Sequence, residues 1–293
     1  MRQREVGGGH QDGFRERRYS AQDGLSLYFR DYGAPGAGAV PVLCLTGLTR
    51  NSRDYHKLAT RLAGSGRRVL CPDYRGRGKS EYDRDWRNYT PATYIGDIRH
   101  LLAATNVHRV IVVGTSLGAF LTMGMSAAMP ASLAGAVLND AGPDVNADGL
   151  SRILAYIGQD SPQPDWAAAT ARVRTMFPTL PYESDEEWLD FARSTYREGK
   201  DGVLHFDWDV DLAKPMASGA ALPDLWPLFR GLRDVPVLAL RGALSDVLSA
   251  DTFERMGQAL PHMKRVTVPG VGHAPTFTEP QSREAVDDFL AGF

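Results

Sequence analysis

The sequence predicts an α/β fold: a doubly wound, mostly parallel eight-stranded sheet with helices on both faces and a helical cap inserted after the sixth strand. Three observations carry this prediction. Eight short apolar segments have the length and composition of strands. Stretches with helical spacing separate most of them, which is the alternation expected of βαβ crossovers. After the sixth segment a long helical and aromatic stretch interrupts the alternation, which later resumes.

The first two predicted strands form an antiparallel hairpin, because RERRYS (15–20) and LSLYFRDYG (25–33) flank the turn signal QDG. Helical periodicity predicts intervening helices, for example over 93–105. The remaining six predicted strands are AVPVLCL (39–45), RRVLCPDY (67–74), RVIVVG (109–114), GAVLND (135–140), VPVLALRG (235–242) and RVTVPG (265–270).

These patterns predict four segments along the chain. Residues 1–14 are expected to be a disordered tail, 15–144 and 226–293 to form the α/β core, and 145–225 to form the helical cap. Within the cap, Ser184 and Glu187 have the spacing of a capping box and predict a helix start.

Composition narrows the class of function. The 293 residues are 43% apolar and 23% charged, with a formal net charge of −2. This near-neutral balance argues against nucleic acid or an anionic membrane surface as partner.

No apolar segment typical of a secretory signal and no 18-residue apolar run is seen. We therefore expect a cytoplasmic protein, monomeric or homodimeric, that acts on a small molecule. Cys44 and Cys71 are expected to be buried thiols. The sequence has no residue cluster with metal-ligand spacing, so no metal or cofactor is expected.

The segment GTSLG places Ser116 between Gly114 and Gly118, directly after a strand and before a helix. G-x-S-x-G alone is a weak signal, because Gly and Ser are common residues. The strand–turn–helix context is what a nucleophile elbow requires, since a tight turn lifts the serine Oγ off the sheet. Ser116 is therefore the predicted nucleophile.

A serine nucleophile needs a histidine base and a carboxylate that orients it. Of seven histidines, only His273 follows a late strand within a glycine-rich turn, PGVGHAP. The expected chain order is serine, acid, histidine. Asp246, just past the penultimate strand, is the preferred acid. Asp140 is the alternative, with a turn or helix-capping role as its ordinary explanation.

Two backbone N–H groups are candidates for an oxyanion hole. The N–H of Leu117 follows the serine at a helix N-terminus, and that of Leu48 lies in the loop LTGLTRNS after the third strand. A plain strand-to-helix loop would explain LTGLTRNS equally well.

Over about residues 15 to 293 the chain resembles the α/β-hydrolase superfamily in its capped serine-hydrolase form. The resemblance rests on LTGLT, DYRGRGKS, GTSLG, RGALSD and GVGHAP in that order. The chain differs from many members at two positions. It has Thr46 where they have a histidine before the oxyanion glycine, and it has SLGA where they have S-x-G-G.

The resemblance implies a carboxylesterase-like enzyme that hydrolyses an ester or lactone through an acyl-enzyme. A carbon–carbon hydrolase of vinylogous 1,5-diketone acids could use the same triad. A non-catalytic ligand receptor on this fold is the third hypothesis, and it would not need all triad members.

Substrate choice depends on the cap, whose aromatic residues predict a closed, largely apolar pocket for a small or medium substrate. Trp166 and Trp188 are the candidate substrate-binding residues of the cap. Arg50, beside the oxyanion loop, could bind a substrate carboxylate, although a surface salt bridge is the more ordinary role for such a residue.

Overall fold

The central feature of the computed structural model, which describes residues 13–35, 38–217 and 223–293, is an eight-stranded sheet. Its strands lie in the order β1-β2-β4-β3-β5-β6-β9-β10. The two hairpin strands are antiparallel to their neighbours and all other pairs are parallel. The strands are β1 Phe14–Ser20, β2 Ser26–Tyr32, β3 Val42–Leu45, β4 Val69–Pro72, β5 Val110–Thr115, β6 Leu133–Asn139, β9 Val237–Gly242 and β10 Lys264–Val268, with β7 and β8 between β6 and β9. The predicted fold class is confirmed.

Alternate side chains of the strands enter two separate cores, one on each face of the sheet. Leu43 and Leu45 of β3 join one apolar cluster, while Val42 and Cys44 join the other. Complete burial of such a side chain contributes about 1.5–3 kcal/mol. The doubly wound prediction is confirmed, because helices cover both faces. The core helices are α1 His56–Gly64, α2 Pro91–Ala104, α3 Leu117–Ala128, α9 Ala250–Ala259 and α10 Pro280–Leu290.

Helix α3 is apolar on nearly all sides, so it must be buried on nearly all sides. It packs beneath β3, β5 and β6 and against α2, and its N-terminus points to the carboxyl end of the sheet. This burial fixes the position of Ser116, which directly precedes the helix.

The segment between β6 and β9 is mostly helical, as predicted for a cap, but it also contains a small antiparallel hairpin. Strands β7 Tyr196–Glu198 and β8 Leu204–Phe206 form this two-stranded sheet. The capping box of Ser184 and Glu187 is present at the start of a helix, as expected. The helices of this segment are α4 Ala147–Ile157, α5 Trp166–Met176, α6 Asp185–Thr195, α7 Lys214–Ala217 and α8 Trp226–Arg230.

The predicted domain boundaries themselves stay predictions. Of the proposed disordered tail, residues 1–12 lie outside the described part of the chain, whereas Phe14 is wrongly included because it begins β1.

Cys44 and Cys71 are free and buried, as expected, and burial raises the pKa of the Cys44 thiol. Among the described residues, none of the helices combines the length and the apolar character needed to span a bilayer.

Candidate active site

Ser116 occupies a strained turn between β5 and α3. Its φ of 53° and ψ of −114° lie in a region that non-glycine residues rarely adopt. The flanking glycines make the turn possible, because any side chain at Gly114 would overlap the carbonyl of Gly118. A side chain at Gly118 would overlap the carbonyl of Leu45 on β3. The glycines therefore let the turn pack closely against the sheet, and Ser116 lines a cavity.

His273 lies in the loop after β10 and contacts Ser116 directly. Its Nε2 is 2.9 Å from Ser116 Oγ, and its Nδ1 is 2.6 Å from Asp140 Oδ2. These two contacts form a continuous hydrogen-bonded chain of serine, imidazole and carboxylate. The arrangement can transfer the hydroxyl proton to the imidazole while the carboxylate holds the ring.

Asp140 immediately follows β6 and is completely buried. Its Oδ1 accepts a hydrogen bond from the Gly242 N–H at 2.8 Å, and its Oδ2 accepts one from Ser245 Oγ at 2.6 Å. With His273 this gives the carboxylate three donors, which compensate for the cost of burying its charge.

The preference for Asp246 as the partner of His273 is wrong. Asp246 instead accepts two hydrogen bonds from Arg152 of α4, at 2.6 and 2.9 Å. Burial alone would raise the pKa of Asp246, but the hydrogen bonds and charge of Arg152 outweigh burial and lower that pKa. The loop after β9 turns toward the cap before it reaches Asp246, so the carboxylate joins cap to core.

The signal that could have identified Asp140 is strand adjacency. Thr115 of β5 is paired with Asn139 of β6, so the residues that follow them leave neighbouring strands side by side. The backbone strengthens this proximity, because the Ser116 N–H donates to the Asn139 carbonyl at 3.0 Å.

Leu48 and Leu117 are positioned as the sequence predicted, and their role as oxyanion donors stays a prediction. A Cβ built on Gly47 would lie 3.7 Å from the Cβ of Ser116, so this loop passes directly over the serine. Within the described residues the Leu48 N–H has no hydrogen-bond acceptor, and Arg77 Nε fixes the Leu48 carbonyl at 2.8 Å. Leu117 is the first residue of α3, where N–H groups lack intrahelical acceptors.

A buried polar network beneath the elbow was missed by sequence reasoning. The Asn139 Nδ2 donates to Thr115 Oγ1 at 3.0 Å and to the Pro275 carbonyl at 2.8 Å. The Tyr55 hydroxyl lies 2.8 Å from the same Thr115 Oγ1. Asn139 thus joins the loop that carries His273 to the strand that carries Ser116.

Ser116 and His273 open into a cavity of about 130 Å³ beneath the cap. Trp166 and Trp188 do not line it, contrary to their predicted role. Trp188 is buried against Tyr182, and its Nε1 donates to the Tyr182 carbonyl at 3.2 Å. The cap residues that do line the cavity are Ile153, Tyr156, Phe177, Leu180, Tyr182 and Phe191.

Arg50 does line the cavity, and its binding of a substrate carboxylate stays a prediction. Its guanidinium forms a salt bridge with Asp54, with Nε–Oδ2 and Nη2–Oδ1 distances of 2.6 and 2.7 Å, and Asp54 itself is exposed. Arg50 is buried, with its guanidinium carbon 4.2 Å from the Phe191 ring centroid. Burial opposes the charge, but Asp54 outweighs it and raises the pKa of Arg50.

Comparison with known proteins shows which family the chain belongs to. The model of the alpha/beta hydrolase family matches residues 42–286. The chain is 33% identical to a 3-hydroxybutyrate-oligomer hydrolase of Cupriavidus necator, over 91% of this chain and 93% of that protein. It is 27% identical to a 2-(acetamidomethylene)succinate hydrolase of Mesorhizobium japonicum, over 87% and 89%.

Among solved structures, an alpha/beta hydrolase from Novosphingobium aromaticivorans superposes with a TM-score of 0.90 at 43% identity, covering 97% of this chain and 100% of that one. The structure of E-2-(acetamidomethylene)succinate hydrolase gives a TM-score of 0.81 at 26% identity, over 95% and 99%. The chain belongs to the α/β-hydrolase family and is a hydrolase.

Proposed function

We propose that the protein hydrolyses the ester bond of short hydroxyalkanoic acid esters, with oligomers of 3-hydroxybutyrate as the substrate class. The observation that carries the chemistry is the hydrogen-bonded chain from Ser116 through His273 to Asp140, open to the cavity under the cap. The substrate class is supported by the 33% identical relative, whose named substrate is an ester oligomer of this acid.

Acylation begins when Ser116 Oγ attacks the ester carbonyl and His273 Nε2 takes the hydroxyl proton. Asp140 holds the imidazole through Nδ1 and stabilises its positive charge. The carbonyl oxygen becomes an oxyanion within reach of the Leu48 and Leu117 N–H groups. Each such donor contributes about 10²–10³ in rate. The intermediate collapses as the C–O bond to the alcohol breaks, and His273 returns the proton to the leaving oxygen.

Deacylation repeats the same steps with water. His273 takes a proton from a water molecule whose oxygen attacks the acyl carbonyl. The tetrahedral intermediate then expels Ser116 Oγ, which recovers its proton from the imidazole. The products are a free acid and a free alcohol, and the enzyme is unchanged.

The volume of the cavity supports a short acyl group. A dry cavity of roughly 150 Å³ holds one benzene ring, so about 130 Å³ has room for some six non-hydrogen atoms. A 3-hydroxybutyryl unit has that many. The lining is largely apolar, as expected, and Arg50 and Asp54 add a charged pair in one wall.

The test combines labelling with product analysis. A fluorophosphonate probe should label the protein once, and Ser116→Ala should lose both labelling and hydrolysis of the 3-hydroxybutyrate dimer. Ser65→Ala, an exposed serine at the end of α1, serves as the matched control and should behave as wild type.

Labelling that persists in Ser116→Ala would contradict the nucleophile. Turnover of a vinylogous 1,5-diketone acid, with every ester left intact, would instead favour carbon–carbon hydrolysis by the same residues.

A further inference from the structure

The Arg50–Asp54 pair forms a polar wall of the same cavity that contains Ser116. We propose that this pair binds the free hydroxyl of the terminal hydroxyacyl unit, so that the enzyme releases units from the hydroxyl end of an oligomer. This inference rests on the proposed function and adds the orientation of the substrate.

The position of Arg50 is fixed from both sides. Its guanidinium donates to Asp54, to Ser194 Oγ at 2.6 Å and to Thr195 Oγ1 at 2.6 Å. Ser194 and Thr195 are the last residues of α6, so cap and core together hold the side chain. A group held by that many contacts is preorganised for a ligand of defined shape.

Counting donors identifies what the guanidinium can still bind. Arginine has five N–H donors. Asp54 takes one from Nε and one from Nη2, Ser194 takes the second of Nη2, and Thr195 takes one from Nη1. Among the described residues one N–H of Nη1 has no acceptor, and each oxygen of Asp54 keeps a second lone pair.

This remaining capacity suits a hydroxyl better than a carboxylate. A carboxylate is best bound by two parallel N–H donors of an uncompensated guanidinium. Arg50 has a single donor left, and a carboxylate beside it would also face the charge of Asp54. A hydroxyl can donate to a second lone pair of Asp54 without adding charge to the cavity, while Arg50 holds that carboxylate in place through its Nε and Nη2.

The location of the pair fits the acyl side of the scissile bond. A Cβ on Gly47 would lie 3.4 Å from Arg50 Cγ and 3.7 Å from Ser116 Cβ, so the stem of Arg50 runs beside the reacting serine. The cavity has room for one hydroxyacyl unit. The rest of an oligomer, with its terminal carboxylate, must then extend outward as the leaving group.

The first experiment uses the wild-type protein and matched substrates. The kcat/KM for p-nitrophenyl 3-hydroxybutanoate should exceed that for p-nitrophenyl butanoate about tenfold or more. Hydrogen bonds to charged groups contribute a free energy of this size. For the dimer, methylation of the hydroxyl should lower kcat/KM at least tenfold, whereas a methyl ester on the carboxylate should change it less than threefold.

The second experiment removes the acceptor. Asp54→Asn should abolish the preference for the 3-hydroxy ester and, by leaving Arg50 uncompensated, should raise relative activity on mono-p-nitrophenyl succinate. Asp251→Asn, an exposed carboxylate on α9, is the control and should keep the wild-type preference.

The outcomes separate the two proposals. Equal hydrolysis of both p-nitrophenyl esters by wild type, or a faster reaction with the succinate ester, would overturn the hydroxyl assignment and leave ester hydrolysis standing. Failure to hydrolyse any ester would overturn the proposed function itself. The wild-type comparison decides the matter even if Asp54→Asn does not fold.

Discussion

Thr115 and Asn139 are paired in register on neighbouring parallel strands, and this pairing brings Ser116 and Asp140 side by side at the carboxyl edge of the sheet. His273 then bridges the two side chains from the far end of the chain. The acid of the candidate site is thus supplied by the strand next to the elbow strand.

Replacing the two competing carboxylates should therefore give unequal results. Asp140→Asn should lower kcat/KM by about 10³–10⁴, the cost of losing the carboxylate that orients a catalytic histidine. Asp246→Asn should cost less than about tenfold, because its carboxylate binds Arg152 rather than His273. Steady-state kinetics on p-nitrophenyl butanoate, with circular dichroism to confirm folding, would measure both. The opposite ranking would restore Asp246 as the acid.

Sequence reasoning was accurate where chemistry is local. The elbow at Ser116 and the histidine loop at His273 each have a short-range pattern, and the structure brings both together. The acid has no such pattern, because two aspartates follow suitable strands. Strand adjacency favours Asp140, and the path of the loop after β9, which turns Asp246 toward Arg152, excludes Asp246.

The lining of the cavity was hardest to predict, for a physical reason. Helical periodicity shows that Trp166 and Trp188 have an apolar face to bury, but not which surface will cover that face. Trp188 packs inside the cap against Tyr182, while the neighbouring Phe191, three residues on, reaches the cavity.

Asn139 should act as a positioning residue. Its Nδ2 joins Thr115 and the Pro275 carbonyl, so Asn139→Ala releases the loop that carries His273 from the elbow strand. We expect kcat to fall about tenfold or more with KM little changed, and fluorophosphonate labelling of Ser116 to slow in parallel.

A merely structural role for Asn139 would lower the melting temperature without changing kcat at a temperature where the variant is folded. Thr122→Ser is a suitable control, since Thr122 is equally buried on α3 and donates only to the Gly118 carbonyl of its own helix.

Asp207 should make stability depend on pH. This carboxyl is buried where the cap meets Asn51, whose Nδ2 lies 3.1 Å from its Oδ2. Burial, opposed in part by Arg53 and reinforced by Asp73, raises the pKa of Asp207 to about 7 from 3.8. The folded state therefore holds this proton more tightly than the unfolded state does.

The tighter proton binding of the folded state makes the protein less stable as pH rises. Because the unfolded state releases the Asp207 proton near pH 4 and the folded state only near pH 7, stability falls as pH rises between these values. At about 1.4 kcal/mol per pKa unit, the loss amounts to a few kcal/mol. Asp207→Asn should match wild type at about pH 4 and below, and melt several degrees higher at pH 8.

Thermal unfolding at pH 4 and pH 8 would measure the difference. Asp234→Asn, whose side chain is exposed, is the control and should leave the pH profile of wild type unchanged. A variant Asp207→Asn that is less stable than wild type at pH 8 would mean that the ionised carboxylate is stabilising.

Cavity size should set the acyl chain length. Phe177 contacts Phe191 and Tyr156 in the wall of the cavity, with ring centroids 5.2 and 5.8 Å apart. In a p-nitrophenyl ester series, wild type should prefer acyl groups of about four to five carbons, because about 130 Å³ has room for some six non-hydrogen atoms. Phe177→Ala enlarges the cavity and should move the optimum two or more carbons higher. Each newly buried methylene contributes up to about 0.8 kcal/mol, or fourfold in kcat/KM.

Trp166→Ala is the matched aromatic control and should keep the wild-type profile, since Trp166 does not line the cavity. A shift with Trp166→Ala alone would show that the cap rearranges around the substrate, and a wild-type optimum at long-chain lipid, activated at an oil interface, would indicate a lipase with a mobile lid.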